Sequence, residues 1–200
     1  IQPLERDSRS ALSAAGHPSH TETKTEMKNV LVTGTSSGIG LETAVELAKQ
    51  GWRVFATMRN PDKSGSLEDA LIKANVRDRV EIGRLDVTKP ESITDAVAWV
   101  LSNTNGSLDA IVHNAGIAVG GAFEDVPDAE TRLVMETNFF GVLALTRGVM
   151  PTLRKQRRGR ILIVSSDSAF MGQPGNAVYC ASKWAIEGWA EGVAYEFAPF

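Results

Sequence analysis

Short apolar runs alternate along most of the chain with longer segments whose apolar positions recur at helical spacing. "NVLVTG" at 29–34 is β-rich and stops at a glycine, and beyond it Ile39, Ala44, Leu47 and Ala48 recur on one side of a helix. "RVFATM" at 53–58 repeats the strand signal, "LEDALIKAN" reads as a helix, and "VEIGRLDV" at 80–87 supplies a third strand. A helix over "ITDAVAWVL", 93–101, leads to a fourth strand, "LDAIVHNAG" at 108–116. One long helix is predicted over about 130–156, adjusted near Pro151. A fifth strand follows in "GRILIVSS" at 159–166, then a last helix over about 176–197.

Strands that are apolar almost throughout are buried on both faces, so this alternation predicts a parallel sheet covered by helices on either side. Right-handed crossovers then make it doubly wound. No repeat or linker divides 27–200, which reads as one domain. Residues 1–26 are polar, rich in Ser and Thr and aperiodic, and read as a disordered N-terminal extension. Met27 stands directly before the first strand and is expected to be the natural start, with leader or upstream sequence ahead of it.

Bulk properties narrow the classes of function. A chain of 200 residues, 42% hydrophobic, is long enough for one well-buried core and too apolar for disorder. Its 21 basic and 24 acidic residues give a net charge of −3, which provides no field toward nucleic acid or anionic membranes. No run approaches the roughly 18 apolar residues of a membrane span. One cysteine, Cys180, closes no internal disulfide, so the expected setting is a reducing cytoplasm.

The candidate chemistry begins at "TGTSSGIG", 33–40, between the first strand and the first helix. Gly34 allows a tight turn, Gly38 lets backbone approach a pyrophosphate, and Gly40 lets the helix pack close to the strand. Amides at the helix start then face the phosphates. After the second strand stand Met58 and Arg59, with no acid before Asp62. A cation there suits a ribose 2′-phosphate, with Ser37 adding a hydroxyl, so NADP(H) is expected over NAD(H); the alternative is a merely solvated Arg59. Asp86 either accepts a bond from an adenine amino group or caps its own turn.

Tyr179 and Lys183 are four residues apart and share a helix face. An ammonium near a phenol favours the phenolate, and a phenol tuned in this way can exchange a proton with an alcohol or carbonyl oxygen. Ser166 ends the fifth strand at the sheet's carboxyl edge, with Ser165 as a competing neighbour pointing oppositely. Asn114, Ala115 and Gly116 lie at the corresponding end of the fourth strand. Asn138, polar within an apolar helix, either satisfies a kink or orders a water.

Together these residues resemble the short-chain dehydrogenase/reductase family: T-G-x3-G-x-G at 33–40, D-V at Asp86 and Val87, and N-N-A-G with His113 in first place. Asn138 matches the family asparagine, and Ser166 stands thirteen residues before the tyrosine of Y-x3-K. The resemblance implies a Rossmann-type three-layer α/β/α fold, with Tyr179 as general acid/base, Lys183 lowering its pKa and holding the nicotinamide ribose, Ser166 positioning the substrate oxygen and Asn138 a water. Cofactor contacts are expected from Gly34, Ser36, Ser37, Gly38, Ile39 and Gly40, from Arg59, Asp86 and Val87, from Asn114, Ala115 and Gly116, and from Tyr179 and Lys183. "FATMRNP" and "TNFFG" are similar to NADP-dependent members acting on retinoids, steroids and other apolar alcohols and ketones. The family also implies homodimers or homotetramers through the two long helices. Its later strands are missing, so the chain is expected to be C-terminally truncated after the helix following strand five. A dinucleotide-sensing module without turnover is the alternative function. His113 is expected to be a structural histidine near the core, and Trp184 and Trp189 to fill core or subunit contacts.

Overall fold

The computed structural model describes residues 27–199, so the extension expected at 1–26 lies outside the described residues. Five strands, β1 (Asn29–Thr33), β2 (Arg53–Met58), β3 (Val80–Arg84), β4 (Ala110–His113) and β5 (Arg160–Ile163), form one sheet in the order β3-β2-β1-β4-β5. Every pairing is parallel, with Val32 opposite Ala56 on one side and Val112 on the other. The helices are α1 (Gly38–Lys49), α2 (Gly65–Lys73), α3 (Pro90–Asn103), α4 (Asp128–Met135), α5 (Gly141–Gln156) and α6 (Ala177–Phe197).

Alternation along β1 separates two cores. Val30 and Val32 pack with Ala44 and Ala48 of α1 and Leu67 and Leu71 of α2. Leu31 points the other way, into a layer with Phe55, Ile93 of α3 and Leu145 of α5. In this second layer Phe55 meets Trp99 edge to face, 5.1 Å between ring centroids. The chain therefore builds a doubly wound, Rossmann-type three-layer α/β/α sheet, as the hydrophobic pattern predicts. It runs outward from β1 to β3, then returns to lay down β4 and β5 on the other side, so the switch point lies between β1 and β4.

Four expectations need correction. Strands three to five are shorter than their apolar runs: Leu85–Val87, Asn114–Gly116 and Val164–Ser166 leave the sheet as loops at its carboxyl edge. The helix at 130–156 is interrupted at a π-helical turn, Glu136–Phe140, and not at Pro151, which lies inside α5. Ile39 is 65% exposed, because α1 begins at Gly38 and its first turn sits over an open cavity. Trp184, at 54% exposure, does not fill the core. Among the described residues, no helix is long and apolar enough to cross a membrane.

Candidate active site

The carboxyl ends of all five strands open onto one cavity of about 580 Å³, a size suited to a small-molecule ligand. Its floor at β1 is the glycine turn. Gly34 leaves the strand at φ +71°, and a Cβ there would stand 2.8 Å from the Cα of Ala115. A Cβ on Gly40 would collide with the Gly34 carbonyl and the Asn114 amide, so backbone here packs directly on backbone. Gly38, at φ +58°, holds the left-handed bend but stands outside the cavity wall. Ser37 is the N-cap of α1 and makes no side-chain capping bond. The helix start, with Ser36, Ser37, Ile39 and Gly40 on the wall, thus turns its positive end toward the cavity.

Thr33 and Asn114 clamp this turn across the switch point. The Thr33 hydroxyl oxygen accepts from the backbone N–H groups of Asn114 at 3.0 Å and Ala115 at 2.9 Å. Asn114 Nδ2 donates back to the carbonyl oxygens of Thr33 and Gly34, both at 2.9 Å. On the far side of β1, Thr35 donates its hydroxyl to the Thr57 carbonyl at 3.2 Å.

At one end of the cavity Arg59 stands exposed beyond β2, and Asp86 and Val87 follow β3. Asp86 Oδ1 accepts from the Thr88 N–H at 3.0 Å and the Thr88 hydroxyl at 2.8 Å, so it caps its turn. It lines the cavity as well.

At the other end Tyr179 and Lys183 share a wall with Gly116, Val164 and Ser165. Lys183 is 7% exposed; its Nζ donates to the Val164 carbonyl at 2.9 Å and lies 5.7 Å from the centre of the Tyr179 ring. Burial pushes the Lys183 pKa below its ordinary value, and Glu187 opposes the shift. A methyl added at Gly116 would come 3.4 Å from Asn138 Oδ1 and 3.9 Å from Lys183 Nζ, which places these groups around one point.

Asn138 stands behind the wall, buried in the π-helical turn. Its amide donates to the Ile117 carbonyl at 2.8 Å and the Ser182 hydroxyl at 3.0 Å, and accepts from the Ile117 N–H at 2.9 Å. Its side chain bonds to the loop after β4 and to α6, and not to the backbone of its own turn. Ser166 is not part of this cavity's wall: its hydroxyl donates to Asp167 Oδ1 at 3.0 Å and accepts from the Ser168 N–H at 3.2 Å. Ser165 lines the wall instead, with a buried hydroxyl that has no protein partner.

His113 is structural. It is 3% exposed, with Nε2 2.9 Å from the Thr146 hydroxyl, and burial lowers its pKa from 6.5 to about 3. A folded-state pKa below the unfolded one means that unfolding takes up a proton between those values, so stability falls as pH drops from about 6.5 toward 3. Unfolding free energy is expected to lose up to roughly 1.4 kcal/mol per pH unit in that window through this residue. His113→Asn should flatten that part of the profile in denaturant titrations, and an unchanged slope would contradict the assignment.

Spacing did not single out Thr33, Thr88 or Ser182. The hydroxyls of Thr33 and Ser182 bond across folds of the chain, whereas Thr88 bonds Asp86 two residues away; the local cues were that spacing and Ser182 standing three residues after Tyr179, on the buried side of the same helix.

A profile of the family described as short chain dehydrogenase matches residues 28–200. The chain belongs to this family. As a short-chain dehydrogenase it is 39% identical over 171 residues to 3-ketodihydrosphingosine reductase of Bacteroides thetaiotaomicron, covering 86% of this chain and 59% of that protein. It is 39% identical over 176 residues to bovine retinol dehydrogenase 8, covering 86% of this chain and 55% of the relative. Among solved structures, an actinorhodin polyketide ketoreductase with NADPH superposes with TM-score 0.80 at 33% identity, over 86% of this chain and 66% of that one. A short-chain dehydrogenase from Streptomyces avermitilis gives 0.79 at 36% identity, over 88% and 62% of the two chains. The chain thus spans little more than half the length of these two curated relatives.

Proposed function

We propose that this short-chain dehydrogenase is an NADP(H)-dependent oxidoreductase that interconverts an alcohol and its carbonyl compound. The observation that carries the proposal is the continuity of one cavity from the glycine turn and Arg59 at one end to Tyr179 and Lys183 at the other. The residues fit a dinucleotide. The backbone cradle at Gly34 and Gly40 excludes side chains, the uncapped start of α1 offers N–H groups to phosphates, and Arg59 offers a cation beside them. The solved relative that carries NADPH supports the same reading.

When bound, NADP(H) supplies or takes up a hydride at the substrate carbon. Tyr179 handles the proton: in reduction its phenol protonates the carbonyl oxygen, and in oxidation it takes the proton from the alcohol. Lys183 would hold the ribose hydroxyls while its bond to the Val164 carbonyl fixes its ammonium group beside the Tyr179 ring. Asn138 ties the loop after β4 to the π-helical turn behind them. Asp86 and Val87 would bound the adenine end.

The proposed substrates are small apolar alcohols and ketones, supported by the names of the relatives and by exposed Phe170 and Met171, which follow Ser166. Homodimers or homotetramers are proposed through α5 and α6, whose shared grooves are lined by Met150, Trp189, Val193 and Phe197.

The test is loss of NADPH absorbance with a panel of apolar ketones. Turnover supports the oxidoreductase; tight NADPH binding with no turnover across the panel would favour a dinucleotide sensor. For cofactor choice, Arg59→Ala is expected to weaken NADPH binding about tenfold to a hundredfold, the range for loss of a charge-assisted hydrogen bond, and NADH binding by less than about threefold. Titration of each nucleotide by fluorescence checks this, and equal losses would contradict a phosphate contact at Arg59.

A further inference from the structure

We propose that Ser182 is a positioning residue for Tyr179, an inference that rests on the oxidoreductase reading for its catalytic consequence. Ser182 is fully buried on α6, at 0% exposure. It takes no part in the cavity wall, so it touches neither nucleotide nor substrate there. A hydroxyl buried in this way is costly unless it is bonded, and this one is bonded twice. Its Oγ donates to the backbone carbonyl of Tyr179 at 2.7 Å and accepts from Asn138 Nδ2 at 3.0 Å.

Both partners belong to the site. Asn138 holds both backbone polar groups of Ile117 in the loop after β4, through bonds of 2.9 and 2.8 Å. Ser182 extends that connection onto α6, so that three segments of the chain are joined through one amide and one hydroxyl. A serine that bonds back to the carbonyl three residues earlier competes with the helix's own pattern and bends it locally. Here that bond falls in the first turns of α6, where Tyr179 stands, and the bond from Asn138 ties the same hydroxyl to the π-helical turn. Without the hydroxyl, one Nδ2 proton of Asn138 is left buried without this partner, and the start of α6 loses its tie to the π-helical turn. Small displacements of a reacting group are sufficient to slow chemistry severely.

The test compares Ser182→Val with Ser182→Thr in the full chain. The two have the same shape and differ in the hydroxyl, so crowding at the buried position cancels. Ser182→Val is expected to lower kcat about tenfold to a hundredfold with KM for NADPH within about threefold, whereas Ser182→Thr recovers most of the loss. Amide hydrogen exchange gives a second readout without turnover: the first turns of α6 exchange faster in Ser182→Val than in Ser182→Thr, and α3 is unchanged. Ser182→Ala, which adds no bulk, is expected to repeat the kcat loss and the faster exchange if neither larger side chain is accommodated. Equal kcat and equal exchange in Val and Thr, or wild-type values of both in Ala, would overturn the proposal. A wild-type protein that turns over nothing would instead sink the oxidoreductase reading, and exchange alone would then judge the link between Asn138 and Tyr179.

Discussion

Tyr179→Phe is expected to reduce turnover by about a thousandfold, within the range for losing a positioned general acid/base, while NADPH affinity stays within about threefold. The substitution removes one oxygen and keeps the ring, so the wall that Tyr179 shares with Val164 and Ser165 and the contact with Lys183 persist. A variant that retained wild-type turnover would show that the proton moves elsewhere. Single-turnover measurements, which separate chemistry from product release, give the decisive number. Lys183→Met makes the complementary case: it removes the ammonium that donates to the Val164 carbonyl, so both kcat and nucleotide affinity are expected to fall.

The second large effect concerns the two serines after β5. If Ser166 holds the substrate oxygen, its hydroxyl must leave Asp167 Oδ1 to do so, and Ser166→Ala should lower kcat about a hundredfold, the low end for removing one donor to a developing charge. In that case Ser165→Ala, which removes a buried hydroxyl with no protein partner, leaves kcat within a few fold and relieves an unsatisfied polar group, so stability holds or rises slightly. The reverse ranking would assign the substrate oxygen to Ser165, the serine that lines the cavity. Steady-state kinetics of both variants, with thermal melts alongside, separates these outcomes.

The sheet was legible because its strands are short apolar runs separated by helical segments, and burial on both faces demands that composition. Strand ends were less legible. Leu85 and Val87 alternate with Arg84 and Asp86, and Val164 is as apolar as Ile163 before it, yet β3 ends at Arg84 and β5 at Ile163, and all three residues line the cavity. The spacing of Tyr179 and Lys183 placed them together correctly, since four residues is one turn and both side chains reach the same wall. The π-helical turn at Asn138 could not be read from its neighbours, because its bonding partner Ile117 lies 21 residues away and only tertiary structure brings them together. Pro151 attracted the expected adjustment because proline removes a helical donor, yet α5 continues through it to Gln156. The role of Ser166 depends on which way one loop turns, and spacing from Tyr179 carries no information about that.

The clamp between Thr33 and Asn114 has a consequence for synthesis of the protein. Residues 33–40 emerge from the ribosome ahead of the groups that shape them, at 114 and 115, which follow about 80 positions later. A nascent chain stopped short of β4 therefore carries every glycine of the turn and still lacks its mould. Retention of partial chains on a nucleotide resin should be absent up to about residue 110 and begin only after the Asn114 segment has docked.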